Sequence, residues 1–101
     1  MRNEKEVESE IRGNGLNAPR LNPEHISSVI DDMLYYVFPG TTVTVCCLTL
    51  KNGYTVIGES ACASPENFDE SLGKKIAYDN ARNKIWQLEG YLLRQRLSEA
   101  V

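Results

Sequence analysis

The predicted fold depends most on residues 64–97, SPENFDESLGKKIAYDNARNKIWQLEGYLLRQRL. Ser64 followed by Pro65 is a helix-start pattern, because proline at the first helical position lacks an amide that would have no partner there anyway. Asp69 can then cap a longer helix, and apolar residues recur at spacings of three and four through the rest of the stretch. The sequence therefore predicts a long C-terminal helix, with a break expected near residues 87–90 because glycine weakens helices.

A shorter helix is predicted upstream, over residues 22–37. Asn22 is a good N-cap residue, and Pro23 suits the first helical position. Apolar residues then recur at helical spacing from Ile26 to Val37, and a Pro-Gly pair follows. The pattern indicates one amphipathic helix that ends before the proline.

Two strands are predicted between the helices. Residues 41–50, TTVTVCCLTL, are rich in β-branched residues, and the second strand covers residues 54–62. Asn52-Gly53 lies between them and predicts a two-residue type I′ turn, whose central residues both need positive φ. The predicted fold class is therefore α+β: an N-terminal helix, an antiparallel β-hairpin and a long C-terminal helix.

The two-residue turn also fixes a predicted strand register. In that register Thr49 lies opposite Val56, and Glu59 lies mid-strand on the same face as Leu48 and Ile57. Both faces of the hairpin are then apolar, and a lone hairpin leaves two unpaired edges. The sequence therefore predicts a homo-oligomer, a dimer or larger, in which another subunit covers or extends the sheet.

The length and charge of the chain limit its domain organisation and the kinds of partner it can bind. The 101 residues suffice for one small domain, with residues 1–21 interpreted as a polar N-terminal arm and residues 22–101 as a single α+β domain. The net charge of -3 is evenly spread, which gives no electrostatic support for DNA binding. The longest apolar-leaning run, residues 43–50, is too short to cross a bilayer. We therefore expect neither DNA nor a membrane as partner.

The cysteines and the single histidine do not form a metal-binding pattern. Cys46 and Cys47 are adjacent, Cys62 is isolated, and His25 has no second histidine to act with it. The cysteines are interpreted as buried, reduced thiols. His25 with Cys46 or Cys62 is the one nucleophile pair that the residues would allow, and no phosphate-binding glycine loop accompanies it. The sequence predicts a protein that is not an enzyme and uses no metal or cofactor.

Candidate ligand-binding residues cluster on the polar side of the C-terminal helix. Asparagine is a poor helix former, so two asparagines near the middle of a helix indicate a role other than helix formation. An arginine beside a tryptophan can bind a phosphate through the guanidinium and a base through stacking on the indole. The alternative is a solvated helix face, with the strand carboxylate paired to a helix lysine or arginine. The predicted site residues are Tyr78, Asn80, Arg82, Lys84, Trp86 and Glu59.

The segment from Phe38 to Leu93 resembles a known family. Its blocks GESACASPENFD and NKIWQLEGYLL are similar to the gene product 49 / gene 66 family of small tailed-phage and prophage proteins. The resemblance implies a phage-encoded accessory protein that acts in the bacterial host cytoplasm. More loosely, the chain is similar to phage anti-Thoeris proteins, which sequester cyclic ADP-ribose signals, although no ligand residue carries over from them one by one.

Two functions are consistent with the resemblance. The first is a binding protein that sequesters a small nucleotide-type signal, such as cyclic ADP-ribose or a cyclic nucleotide, without cleaving it. The alternative is a protein-interaction inhibitor of a host factor, with Asp31-Asp32 or the Tyr35-Tyr36 edge as the contact.

Overall fold

The computed structural model of the chain describes residues 4–13 and 20–100. These residues form three helices, three strands and one 3-10 turn, joined by loops. In chain order they are α1 (Glu4–Gly13), α2 (Pro23–Ser28), β1 (Ile30–Val37), β2 (Val43–Leu50), β3 (Thr55–Ala61), the 3-10 turn Pro65–Asn67 and α3 (Glu70–Glu99).

The strands form one antiparallel sheet in the order β1-β2-β3. Helix α3 packs across β2 and β3, and α2 lies beside it. The core between the helices and the sheet includes Ile26 of α2, Leu48 of β2 and Ile85 of α3, which are fully buried. The predicted α+β class is therefore confirmed.

The first predicted helix is wrong beyond Ser28. Residues 30–37 form β1 instead of about two further helical turns. The segment contains β-branched and aromatic residues such as Ile30 and Tyr36, which favour strands. Pairing with the free edge of β2 satisfies backbone groups that a hairpin would leave exposed, and a bulge between Ile30 and Asp32 adjusts the register.

The predicted two-residue turn is also wrong. Leu50 N–H donates to the Tyr54 carbonyl at 2.7 Å and Gly53 N–H donates to the Leu50 carbonyl at 2.8 Å, which closes a three-residue loop. Gly53 has φ 89°, and no non-glycine residue in the described ranges has positive φ, so Asn52 cannot be in a type I′ turn. The extra loop residue shifts the register by one, and Thr49 pairs with Thr55.

The shifted register gives the sheet one covered and one open face. Burial alternates along β2, with Leu48 beneath the helices and its neighbours turned away. Ile57 and Glu59 lie on the side away from α3, so the prediction that they share a face with Leu48 is wrong. The open face consists of Asp32, Leu34, Tyr36, Phe38, Val43, Val45, Cys47, Thr49, Thr55, Ile57, Glu59 and Ala61.

Small residues let α3 approach the sheet closely. A Cβ atom added to Gly58 of β3 would collide with the Ala77 carbonyl oxygen and with the Ala81 backbone. On α3 itself, a Cβ on Gly73 would lie 3.0 Å from the Thr44 hydroxyl oxygen. Helix and sheet backbones can therefore come into direct contact only because these positions lack larger side chains.

Helix α3 is uninterrupted over its 30 residues, so the break expected near Gly90 is absent. Its start agrees with the sequence, because Leu72 N–H donates to the Asp69 carboxylate at 3.1 Å. Of the predicted N-terminal arm, residues 1–3 and 14–19 lie outside the described residues, and its boundary with the domain stays a prediction. None of the helices described is long and apolar enough to cross a membrane.

Candidate functional site

Arg82 stands at the centre of the candidate site. This residue of α3 is 7% exposed, and its side chain reaches two other helices. Its Nε donates to Glu4 Oε2 of α1 at 2.6 Å and its Nη2 donates to the Pro23 carbonyl of α2 at 2.8 Å. Its Nη1 donates to the Tyr78 hydroxyl oxygen at 3.2 Å. The guanidinium therefore joins all three helices at one point.

Trp86 shares the carboxylate that Arg82 binds. Its Nε1–H donates to Glu4 Oε2 at 2.7 Å, so indole and guanidinium converge on the same oxygen atom. Tyr78, Arg82 and Trp86 are spaced by four residues and hence lie along one face of α3. An arginine and an indole directed at one oxygen form a site for an anionic oxygen.

The electrostatics of the pair favour the charged forms. Burial raises the pKa of Glu4, but the hydrogen bonds from Arg82 and Trp86 and the charge of Arg82 outweigh it, so that the pKa lies below its ordinary value. Burial similarly lowers the pKa of Arg82, and the contacts to Glu4 more than reverse this. Both groups are therefore charged at neutral pH.

A groove of about 750 Å³ runs between the three helices at this site. Its charged residues comprise the cations Lys5, Lys75 and Arg82 and the carboxylates Glu4, Glu8, Glu24 and Asp79. Tyr78 adds an aromatic surface. Because Glu4 already neutralises Arg82, an anion gains strong contacts with the Arg82 guanidinium only if it replaces the Glu4 carboxylate.

The structure divides the predicted site into two parts. Tyr78 and Arg82 line the groove, and Trp86 joins them through the Glu4 carboxylate. Asn80 and Lys84 point to the other side of α3, where Asn80 Nδ2 donates to the Glu59 carbonyl at 2.8 Å and Lys84 Nζ donates to the Ile57 carbonyl at 2.6 Å. The structure therefore does not bring Asn80, Lys84 and Glu59 together with the other three residues, and a ligand-binding role for any of the six stays a prediction.

Asn80 and Lys84 instead close the free edge of the sheet. Strand β3 is an edge strand, and its outward carbonyls are acceptors to which another chain could pair. The two side chains occupy the carbonyls of Ile57 and Glu59. Their role in this structure is thus to protect an edge. The Glu59 carboxylate itself lies on the open face and makes no ion pair with any described residue.

A scan against protein-family models matches residues 21–97 to the phage protein (N4 Gp49/phage Sf6 gene 66) family. The chain belongs to this family. The resemblance drawn from the sequence is thereby confirmed, and Arg82 and Trp86 lie inside the matched range whereas Glu4 lies before it. Searches of curated proteins and of solved structures found no match.

Two residues of this phage-family chain were not singled out by the sequence as site residues. Glu4 is one of several alternating glutamates in the N-terminal segment, and nothing local marks it as the partner of Arg82. Glu89 is the second of these residues, and it accepts a long-range contact because His25 Nε2 lies 2.7 Å from Glu89 Oε1. Both pairs join positions far apart in sequence, so no periodicity or spacing reveals them.

The cysteines lie apart from the groove. Cys46 is fully buried beneath α3, and this burial raises the pKa of its thiol. The Cys62 thiol donates to the Ser64 carbonyl, and His25 contacts Glu89 rather than either sulfur. Within residues 4–13 and 20–100, no group of three His, Cys, Asp or Glu residues could hold a metal ion.

Proposed function

We propose that this phage-family protein binds and sequesters a small nucleotide-type signal without cleaving it, with cyclic ADP-ribose or a cyclic nucleotide as the class of ligand. One observation carries the proposal: Arg82 and Trp86 direct two N–H donors at a single anionic oxygen in a groove between helices. In the free chain Glu4 supplies that oxygen. In the proposed complex a phosphate oxygen of the ligand takes its place.

The chemistry of the donors supports this exchange. Carboxylate and phosphate oxygens make the same charge-assisted hydrogen bonds to guanidinium, and arginine is the common phosphate ligand for that reason. Arg82 is held at the correct depth by the Pro23 carbonyl and the Tyr78 hydroxyl, neither of which carries a charge that would repel a phosphate. Both donors, moreover, lie inside the family match.

The groove is also large enough for a nucleotide. Its volume of about 750 Å³ falls within the ~300–1,000 Å³ of small-molecule sites. The Tyr78 ring lines the groove, where it offers a stacking surface for a base. We propose binding alone rather than a reaction, because the thiol of Cys46 is buried and His25 is engaged by Glu89.

Isothermal titration calorimetry tests the proposal, with cyclic ADP-ribose isomers, 3′,5′-cyclic nucleotides and cyclic dinucleotides as ligands. At least one ligand should bind the wild type. Glu4→Gln should tighten binding, because the neutral side chain competes less with the phosphate. Trp86→Phe, which keeps the packing and removes the N–H, should weaken it by about tenfold.

Lys84→Gln is the matched control, because Lys84 lies on the same helix and contacts the β3 edge instead of the groove. It should bind as the wild type does. The absence of heat from every ligand, with both the wild type and Glu4→Gln, would refute the proposal.

A second candidate function is inhibition of a host protein. Strand β1 is the other edge of the sheet, and its Asp31 and Asp32 are exposed there. An exposed edge strand can pair with a strand of another protein. A pull-down from host lysate favours this function if a stoichiometric host protein is retained by the wild type and lost with Asp31→Lys/Asp32→Lys.

A further inference from the structure

We infer that the open face of the sheet is the interface between two copies of this chain, related by a two-fold axis that runs parallel to β2. This inference rests on the sheet alone and is independent of the proposed ligand. The strand register places the side chains of the open face in rows, with one residue from each strand in a row. Leu34, Cys47 and Ile57 form one such row across the three strands.

The open face is apolar and unusually exposed. Leu34, Tyr36, Phe38 and Ile57 are 65, 55, 46 and 49% exposed. The Tyr36 and Phe38 rings contact each other edge to face, with centroids 4.9 Å apart. These four side chains form one continuous patch with the valines and the cysteine of β2 between them. Contiguous apolar patches of this kind mark interaction surfaces.

The size of the patch fits a protein partner. Exposed apolar area from these large side chains is on the order of 400 Å² per copy, before the flanking residues are added. A stable interface buries about 800 Å² per partner, with an apolar centre and a polar rim. Asp32 and Thr55 lie at one end of the face, in rim positions.

The face is complementary to itself about an axis parallel to β2. Two sheets stacked about such an axis place β1 of one copy over β3 of the other, with the rows kept level. Phe38, the largest side chain of its row, then lies over the partner's Ala61, the smallest. Leu34 lies over the partner's Ile57. In the row of Phe38 a large side chain thereby meets a small one, and in the row of Leu34 two aliphatic side chains meet.

The same axis also gives the Glu59 carboxylate on the open face a hydrogen-bond donor. Tyr36 and Glu59 share a row, so the Tyr36 hydroxyl is placed to donate to the carboxylate of the partner's Glu59. Within the described chain neither side chain has a hydrogen-bond partner of its own. An axis across the strands would instead set Asp32 over the partner's Phe38, which leaves a carboxylate on an apolar ring.

The β3 edge of the sheet disfavours extension by a second copy on that side. Asn80 and Lys84 occupy the outward carbonyls of Glu59 and Ile57, so β3 is not free to pair with a strand of another copy. The open face has no such protection among the described residues. A second copy is therefore expected on the face, and not beside the β3 edge.

The first experiment measures mass by sedimentation equilibrium between 1 and 50 μM. The wild type should be a dimer or an even-numbered larger oligomer. Leu34→Asp should lower the mass at least twofold, and Ile57→Asp is a second variant on the same face. Leu92→Asp is the matched control, because Leu92 is similarly exposed on α3 but lies outside the open face. Circular dichroism checks that each variant is folded.

The second experiment uses the thiols. Cys47 and Cys62 are both partly buried in the single chain, whereas only Cys47 lies on the open face. Maleimide should label Cys47 at least tenfold more slowly than Cys62 in the wild type. The rates should become similar in Leu34→Asp.

The third experiment tests the axis. Tyr36→Phe and Glu59→Gln should each raise the dimer Kd severalfold, and the double variant should raise it no further than the worse single variant. Independent, additive effects would overturn the proposed axis. A wild type that is monomeric at 50 μM would overturn the whole inference, as would dissociation by Leu92→Asp but not by Leu34→Asp. Protection of Cys47 only after a host protein is added would assign the face to that protein instead.

Discussion

Arg82 Nε lies 2.6 Å from Glu4 Oε2, so a buried guanidinium and a carboxylate 78 positions away in sequence form an ion pair. The Glu4 side chain is 29% exposed and that of Arg82 is 9% exposed. The pair fastens α1 to α3 and at the same time fills the anion position of the groove. If the proposed function holds, stability and ligand binding depend on the same contact.

The first prediction concerns the acid dependence of that contact. Because the pKa of Glu4 in the folded chain lies below its ordinary value of 4.5, ionised Glu4 stabilises the fold above that value. The contribution is lost as the pH falls through the folded-state pKa. Glu4→Gln should lower the free energy of unfolding by about 1–2 kcal/mol at pH 7 and by little once the pH lies below the folded-state pKa of Glu4. Urea unfolding at a series of pH values measures the difference.

Glu70→Gln is the control for the acid-dependence prediction. Glu70 pairs with Lys74 on the surface of α3 at 3.3 Å. Exposed pairs of this spacing contribute about 0.3–0.5 kcal/mol. An equal loss of stability in both variants would contradict the special role of Glu4.

The second prediction concerns the close approach of α3 to β3. Gly58→Ala should destabilise the protein by at least about 2–3 kcal/mol, because the new Cβ meets the Ala77 carbonyl and the Ala81 backbone rather than a movable side chain. Gly90→Ala is the opposite case on the same helix, since nothing lies within 4 Å of its added Cβ. It should stabilise by about 0.5–1 kcal/mol. Thermal unfolding of both variants measures these changes. A Gly58→Ala variant as stable as the wild type would contradict the described packing.

The start of α3 and its closely packed side have local determinants in the sequence, whereas the element that packs against that side does not follow from them. Asp69 caps the helix as its position before the apolar pattern indicates. Gly73, Ala77 and Ala81 recur every four residues, and small residues at this spacing allow the close approach that β3 makes at Gly58. Capping and small-residue spacing both act within a few turns of one helix.

Local sequence patterns give a wrong prediction where the same residues are compatible with two different local structures. Apolar residues from Ile30 to Val37 suit one helix face, yet their β-branched and aromatic character suits a strand, and the free edge of β2 decides between them. Asn52-Gly53 likewise fits a two-residue and a three-residue loop, which both place Gly53 at positive φ. One residue of loop length then moves Glu59 away from Leu48.

The candidate site was predictable in part for a similar reason. Tyr78, Arg82 and Trp86 are spaced by four, so their proximity follows from the helix. Asn80 and Lys84 seemed to belong with them by sequence, but a helix turn of about 100° per residue carries them to the other side. Their true neighbours are carbonyls of β3, which depend on the tertiary packing of α3.

The third prediction concerns the β3 edge. Asn80→Ala/Lys84→Ala removes both side chains that occupy the edge carbonyls. Stability should change by less than about 1 kcal/mol, because water replaces the lost bonds and alanine favours the helix. Aggregation on heating, measured by light scattering, should begin at a lower temperature because the edge can now pair with other chains.

Lys75→Ala is the control for the edge variant. It removes one charge from the same helix at a residue that lines the groove instead of the edge. Its aggregation should match that of the wild type. Equal aggregation of both variants would assign the effect to net charge.

The fourth prediction concerns Thr44, whose side chain is fully buried between β2 and α3. Its hydroxyl oxygen has no hydrogen-bond partner among the described residues, and a buried hydroxyl without a partner costs about 1–3 kcal/mol. Thr44→Val replaces the hydroxyl with a methyl group of similar size and should raise the free energy of unfolding by about 1 kcal/mol. Ser60→Ala is the contrast, because the Ser60 hydroxyl donates to the Gly73 carbonyl at 2.8 Å and its loss should destabilise by a similar amount. Urea unfolding of the two variants should therefore shift the midpoint in opposite directions. A loss of stability in Thr44→Val would mean that the hydroxyl is satisfied in solution.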